Sequence, residues 1–190
     1  DTIVIFYNSS VLFDIFLSKL YTGLIFTNER VKGGTIMLQS RAQIAVNYYV
    51  KYGYNCSQAV AVTYADLLGL DPMVCFKGME TFGSGMGARL GTCGAISGAI
   101  YLAGFVTSTG HMDEDRTNKS KKASYDLAGK ITQAFYEKNR TVTCHDLKDT
   151  NADTFHSCLD CIADAAILAE TYIFPGQFEE PTYYKEKGTR

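Results

Sequence analysis

Four cysteines share one local setting, in which each directly follows a residue that favours the start of an α-helix. The four segments are Asn55-Cys56-Ser57-Gln58, Thr92-Cys93-Gly94-Ala95, Thr143-Cys144-His145-Asp146 and Ser157-Cys158-Leu159-Asp160. Asn, Ser and Thr are preferred N-cap residues, and in three segments Gln or Asp stands where a capping box needs a side chain that reaches back. The pattern predicts four helices that each begin at a cysteine.

The first helical position has a specific chemistry. Backbone N–H groups at a helix N-terminus have no intrahelical partner, and the helix dipole places about half a positive charge there. Thiolates are stabilised at such positions and their pKa values fall. Four thiolates together with a divalent metal or a two-iron cluster carry a net charge of about −2. Four helix N-termini supply about +2, which is opposite in sign and similar in size. The sequence therefore predicts one redox or metal site formed by Cys56, Cys93, Cys144 and Cys158.

The remaining pattern predicts an all-α protein with no strand. Hydrophobic residues make up 46% of the 190 residues and proline only three, so a packed core of long helices is feasible. Apolar periodicity, caps and glycine stops predict helices over 41–52, 55–68, 72–79, 93–106, 119–138, a short stretch at 144, and 158–172. A glycine-rich loop, Phe82–Gly91, precedes the central helix. Short connections favour a compact antiparallel bundle, which would bring the four cysteines to one end.

The chain divides into three parts. Residues 1–36 contain no apolar run long enough to span a membrane and no basic region before an apolar one, so they resemble neither a spanning helix nor a signal peptide. We expect them to be a non-native upstream extension, with Met37 as the native start, or else a disordered or loosely helical segment. Residues 37–175 form the single four-cysteine domain, and residues 176–190 a polar, irregular tail.

Charge and motifs exclude some functions. The net charge is −2, without the basic footprint that nucleic-acid binding requires. The glycines at 83, 85 and 87 follow no predicted strand and precede no Gly-Lys-Ser/Thr, so a phosphate-binding loop is not indicated. Close approach of the backbone to the site explains them better. Six cysteines without a signal peptide favour thiols in a cytoplasmic protein over structural disulfides.

Other residues have weaker signals. Cys75 lies inside a helix and is interpreted as a small buried hydrophobe. Cys158 and Cys161 form a Cys-x-x-Cys pair at a helix start, which suits a redox dithiol or a metal pair. His145 is interpreted as a capping or solvent-facing residue, and Arg89 as solvated, although either could serve the site. Gly94, Gly98, Ala99 and Ala103 form one small-residue face, which predicts a tight helix contact.

The segment Cys93-Gly94-Ala95-Ile96-Ser97-Gly98 resembles the CGAxxG motif of the C_GCAxxG_C_C family, whose members are described as redox-active. The flanks are also similar: Tyr54 to Ala59 upstream, the glycine-rich loop, Val142 to Leu147, and Cys158 before Asp164-Ala165-Ala166. The resemblance covers about residues 40–172 and all four family cysteine positions. Cys75, Cys161 and residues 1–36 lie outside the pattern.

The resemblance implies a redox function, and a similar domain in split-Soret cytochromes, associated with an iron–sulfur centre, implies a cluster of the 2Fe–2S type. The residues themselves leave alternatives open: a structural zinc ion on the same four cysteines, or a metal-free thiol–disulfide protein. The resemblance also implies a redox partner protein or a membrane transport system as partner, and a homodimer is possible. No acid–base constellation is recognised, so no enzymatic activity is assigned.

Overall fold

The computed structural model describes residues 29–32, 35–110, 120–149 and 156–184, and predictions for residues 1–28 and 185–190 lie outside these ranges. The predicted all-α fold is confirmed. The helices are α1 (Ala42–Tyr52), α2 (Cys56–Thr63), α3 (Pro72–Met79), α4 (Gly94–Thr107), α5 (Lys121–Asn139), α6 (Cys144–Lys148) and α7 (Cys158–Tyr172). The helix predicted over 55–68 ends earlier, at Thr63, and a 3₁₀ turn (Asp66–Leu68) follows it.

A short β-hairpin departs from the prediction that the chain has no strand. Strands β1 (Glu29–Lys32) and β2 (Thr35–Leu38) pair antiparallel, with Lys32 opposite Thr35. The two residues between the strands are both glycine in the sequence, a pair typical of two-residue hairpin connections. The sequence interpretation assigned this segment to the upstream extension and so missed the hairpin.

Local signals explain where most helices begin and end. The Asn55 side chain accepts from the backbone N–H of Gln58, and the Asn55 N–H donates to the Gln58 side chain, so the predicted capping box is confirmed. Pro72 occupies the first turn of α3, where its missing N–H costs nothing. Gly53 and Gly69 end their helices in the left-handed conformation.

Helix α4 is the centre of the bundle and packs against α2, α5 and α7. The predicted tight contact of its small-residue face is confirmed. A Cβ built on Gly98 would lie 2.6 Å from the Ser57 carbonyl oxygen and 3.1 Å from Cβ of Val60, so only glycine allows α2 to approach this closely. The main core surrounds α4, and a smaller one lies between α2 and α3.

The C-terminal tail packs back on the bundle as far as it is described. Backbone hydrogen bonds of 2.8 Å join Leu38 to Gln177 and to Glu179, which fastens the tail beside β2. The Tyr184 hydroxyl donates to the buried carboxylate of Asp164 in α7. The tail is thus mostly irregular, as predicted, but it is packed through Tyr184. Among the described residues, no helix combines the length and apolar character needed to cross a membrane.

Candidate functional site

The four predicted cysteines lie at the starts of four helices, with one correction. Cys56, Cys144 and Cys158 are the first residues of α2, α6 and α7. Cys93 is instead the N-cap of α4, and its backbone N–H donates to the Val142 carbonyl at 2.7 Å. This bond holds Cys93 in extended pairing and delays the helix by one residue.

Cys93 and Cys144 are fixed side by side by backbone pairing. Thr92 and Thr143 form an antiparallel bridge, and the Cys144 N–H donates to the Gly91 carbonyl at 3.0 Å. Neither threonine caps its helix with its side chain, contrary to the prediction. Helix α6 has only five residues, so its dipole adds less positive charge than the sequence argument assumed.

Electrostatic interactions link the four cysteines to one another. Burial, together with negative charge on Cys93, Cys158 and Cys144, raises the pKa of Cys56 to about 11. Burial is also the main cause that raises the pKa of Cys144, and charge on Cys93 and Cys158 adds to it. Three of the four side chains are buried, and Cys158 is partly exposed. The predicted fall in thiol pKa is therefore wrong for Cys56 and Cys144, because burial and mutual repulsion outweigh the helix ends.

The pKa of Cys93 is lowered, as predicted, and a fifth thiol is the main cause. A hydrogen bond from Cys161 is the main cause that lowers the pKa of Cys93 to about 7. The backbone N–H groups of Ala95 and Ile96, at the start of α4, also lower it. The same hydrogen bond is the main cause that raises the pKa of Cys161. Cys161, which was considered with Cys158 as a dithiol, thus makes its hydrogen bond to Cys93.

Glycines bring the backbone against these cysteines. A Cβ built on Gly85 would lie 2.5 Å from Cβ of Cys144, and one built on Gly94 would lie 2.6 Å from Sγ of Cys56. Real Cβ atoms do not approach this closely, so both positions require glycine. Close backbone approach was the predicted reason for the glycine-rich loop, and these distances support it.

The glycine-rich loop holds an unusual backbone conformation over the site. Gly85 and Gly87 have positive φ, and so do three non-glycine residues, Ser84 (52°), Met86 (60°) and Arg89 (62°). Such conformations cost free energy for ordinary residues and persist only where the surroundings determine them. The loop also supplies a backbone hydrogen bond from Ser84 to Cys56. This bond lowers the pKa of Cys56 and so opposes the effect of burial.

Two basic side chains offset part of the negative charge of the site thiolates. Lys148 lowers the pKa of Cys93, Cys144 and Cys161 through its positive charge. Arg89, which is exposed as predicted, has the same effect on Cys144. His145 has a 68% exposed side chain near Asp146, which confirms its interpretation as a solvent-facing residue.

Tyr49 is a site residue that the sequence did not indicate. Its hydroxyl interacts with the Cys158 thiol, and this interaction is the main cause that raises the pKa of Tyr49 to about 12. Negative charge on Cys56 acts in the same direction. The sequence interpretation counted Tyr49 as one of the apolar residues of α1. Only the packing of α1 on α7 makes the contact visible.

The thiols are not arranged around a single point. Within residues 37–110, 120–149 and 156–184, no three cysteine, histidine or carboxylate side chains lie where one metal ion could bind them. Cys75 lies apart from these thiols, in the smaller core, where the Tyr101 hydroxyl donates to its sulfur at 3.9 Å. The arrangement is therefore a group of five thiols, four at helix starts and Cys161 behind Cys93.

Comparison with known proteins identifies the family of the chain. No curated protein and no solved structure matches the chain. A family model described as "Putative redox-active protein (C_GCAxxG_C_C)" matches residues 54–172, which is more than half of the chain and includes all five cysteines of the site. The chain therefore belongs to the C_GCAxxG_C_C family of redox-active proteins.

Proposed function

We propose that this protein transfers electrons through a two-iron, two-sulfur cluster held by Cys56, Cys93, Cys144 and Cys158. The observation that carries the proposal is that four cysteines from four separate segments lie at or next to helix starts, within electrostatic range of one another. Cysteine thiolates are the ordinary ligands of such clusters. When bound, the cluster would accept and release single electrons, in exchange with a redox partner protein.

The surroundings of the thiols suit an iron–sulfur cluster. Backbone N–H groups of Ala95 and Ile96 donate to Cys93, and a backbone hydrogen bond from Ser84 reaches Cys56. Hydrogen bonds to ligand sulfurs and burial are the means by which proteins set cluster potentials. The glycines at 85 and 94 allow the backbone to approach Cys144 and Cys56 closely.

The raised pKa values make ionisation of these thiols depend on a nearby cation. Cys56 and Cys144 are buried beside other thiols, so they resist ionisation without a nearby cation. A metal centre supplies that positive charge, and its binding releases the thiol protons. The free energy of metal binding would then add to the free energy of folding.

The family description favours a cluster over zinc. The family is described as redox-active, whereas a zinc ion has no redox chemistry of its own. A 2Fe–2S cluster on four cysteines would supply such chemistry.

The test is metal and acid-labile sulfide analysis of protein purified without oxygen, with its visible absorption spectrum. We expect a brown protein with equal iron and sulfide, and Cys93→Ser should abolish the colour. Cys75→Ser is the matched control, because Cys75 is buried outside the site, and it should retain iron. A colourless protein that contains zinc but no sulfide would establish the zinc alternative instead.

A second candidate function is thiol–disulfide exchange by the metal-free protein. It is favoured by the lowered pKa of Cys93, of which interaction with the Cys161 thiol is the main cause. The Cys93 thiolate would attack a small disulfide, forming a mixed disulfide and releasing one thiol. Cys161 would then attack Cys93 sulfur, closing a Cys93–Cys161 disulfide and releasing the second thiol. The protein loses two electrons and two protons, and the small disulfide gains them.

Peptide mapping under non-reducing conditions tests this candidate. Metal-free protein treated with oxidised glutathione should yield one cross-linked pair of peptides, containing Cys93 and Cys161. A cross-link between Cys158 and Cys161, or none, would contradict it.

A further inference from the structure

The C-terminal tail returns along α7 toward the helix start that carries Cys158 and Cys161. We propose that residues 179–184 form a strap that holds the first turns of α7 against the bundle and limits access to the Cys161 thiol. The inference does not depend on the proposed function, because Cys161 is not one of the four proposed ligands. The strap also lies outside the family match over residues 54–172.

The first anchor of the strap lies beside the last turn of α7. The Phe178 ring packs edge-on against Tyr64, with ring centroids 6.0 Å apart, and the Tyr64 hydroxyl donates to Glu170 of α7 at 2.7 Å. The backbone N–H of Glu179 donates to the Leu38 carbonyl at 2.8 Å. The strap therefore begins at the end of α7 that is opposite the cysteines.

The second anchor lies beside the first two turns of α7. The Tyr184 hydroxyl donates to the carboxylate of Asp164, and it lies 3.5 Å from the Asp160 carbonyl oxygen. Lys138, at the end of α5, has its Nζ 2.6 Å from the same carboxylate and 4.3 Å from the centroid of the Tyr184 ring. The adjacent Tyr183 is buried in the main core. Tyr184 thus joins the end of α5 to the start of α7, and the strap runs antiparallel to α7.

The carboxylate of Asp164 gives this anchor its strength. Its side chain is 0% exposed, so the charge depends on Lys138 and Tyr184 for the stabilisation that water would otherwise supply. Residues 180–182, between the two anchors, belong to no helix or strand. Segments of this kind open at lower free energy than packed helices. The strap can therefore leave α7 without unfolding a helix, and the Tyr184 contacts oppose that movement.

Cys161 lies within the turn of α7 that Tyr184 spans. It follows Asp160 directly and precedes Asp164 by three residues, and only 1% of its surface is exposed. A reagent reaches such a thiol only when the surrounding structure opens locally. A hydrogen bond to a charged group is strong enough to change such an opening equilibrium by about tenfold. The strap should therefore control how fast Cys161 reacts.

The experiment measures the rate at which iodoacetamide alkylates Cys161 in the full chain, with each modified cysteine identified by fragmentation of its peptide. Tyr184→Phe keeps the ring and removes the hydroxyl, and we expect Cys161 to react about tenfold faster. Tyr184→Ala also removes the ring beneath Lys138 and should increase the rate further. Tyr136→Phe removes a hydroxyl from an exposed ring of α5 and should leave the rate unchanged.

Cys75 is the control within each protein. It is 0% exposed and lies in the smaller core, so its alkylation rate reports opening of the bundle away from the strap. A rate that rises at Cys161 from wild-type to Tyr184→Phe to Tyr184→Ala, with Cys75 unchanged, supports the strap. Equal Cys161 rates in the three proteins overturn it. Equal increases at Cys161 and Cys75 also overturn it, since the substitutions would then destabilise the whole bundle. Iron and sulfide analysis tests the proposed function separately, so the two can fail independently.

Discussion

The cysteine site and the pocket around Cys75 place the same side chain in two different surroundings. Burial does not distinguish them: Cys75 is 0% exposed, whereas Cys56, Cys93 and Cys144 are 7%, 4% and 5% exposed. The neighbours do. Cys75 lies among Ala61, Val62, Ala65 and Met79, with the Tyr101 hydroxyl as a distant donor. The site cysteines lie beside other thiols, backbone N–H groups and the positive charge of Lys148.

The comparison teaches which local feature carries the chemistry. A buried cysteine in the interior of a helix, such as Cys75, is surrounded by side chains and by backbone groups that already have partners. A cysteine at the start of a helix faces N–H groups that have none. The pKa of Cys75 is raised, with burial as the main cause, and that of Cys93 is lowered. Position within the helix is not sufficient, because Cys161 occupies the same fourth helical position as Cys75 and still interacts with Cys93. The neighbours of each thiol therefore separate a packing cysteine from a chemical one.

The largest expected effect comes from closing the space beside the site. Gly85→Ala would place a Cβ 2.5 Å from Cβ of Cys144 and 2.9 Å from the Gly91 carbonyl oxygen. We expect loss of the cluster, and a fall of about 2 to 4 kcal/mol in the free energy of unfolding from overpacking and backbone strain. Metal content and chemical denaturation measure the two effects.

Gly87→Ala is the matched control for this substitution. Gly87 also has positive φ, at 80°, but a Cβ there meets no atom within 4 Å. It should cost only the backbone strain, about 1 kcal/mol, and the cluster should remain. Equal loss of metal in both variants would mean that loop conformation, rather than contact with Cys144, maintains the site.

The parts of the site that depend on local signals, such as helix caps, were predicted from the sequence. Asn55 and Ser157 cap their helices through their side chains as predicted, because a cap and its N–H partner lie within three residues. The displacement of Cys93 to the N-cap was not predictable, since it depends on pairing with Val142 far along the chain. The partners Tyr49 and Lys148 were missed for the same reason. Their contacts with the site exist only after helices have packed.

The next largest effect is expected on the pKa of Cys93, which is lowered where those of Cys56 and Cys144 are raised. In metal-free protein, Cys161→Ala removes the main cause of the lowered pKa of Cys93. The pKa should rise from about 7 toward or beyond the ordinary value of 9.0, because burial then acts with less opposition. At pH 7 the thiolate fraction of Cys93 should fall from about half to on the order of 1%. Thiolate absorbance measured against pH, with Cys93→Ser subtracted, follows this change.

Cys161→Ser provides the control for the hydrogen bond. Its hydroxyl can still donate to Cys93, so we expect a pKa closer to wild-type than that of Cys161→Ala. If both variants titrate as the wild-type does, the N–H groups of Ala95 and Ile96 account for the acidity of Cys93, and Cys161 is only a buried neighbour.

The smallest effect is expected at Cys75, and it tests the other side of the comparison. Cys75→Ala removes one buried sulfur from the smaller core and should lower the free energy of unfolding by about 1 kcal/mol, measured by chemical denaturation. Iron content, the reduction potential and the pKa of Cys93 should all stay at wild-type values, because nothing in that pocket reaches the site thiols through hydrogen bonds. A change in any of these three would show that burial in the same bundle is enough to couple the two regions. The distinction between them would then be one of degree, set by distance from the site thiols rather than by the immediate neighbours of each cysteine.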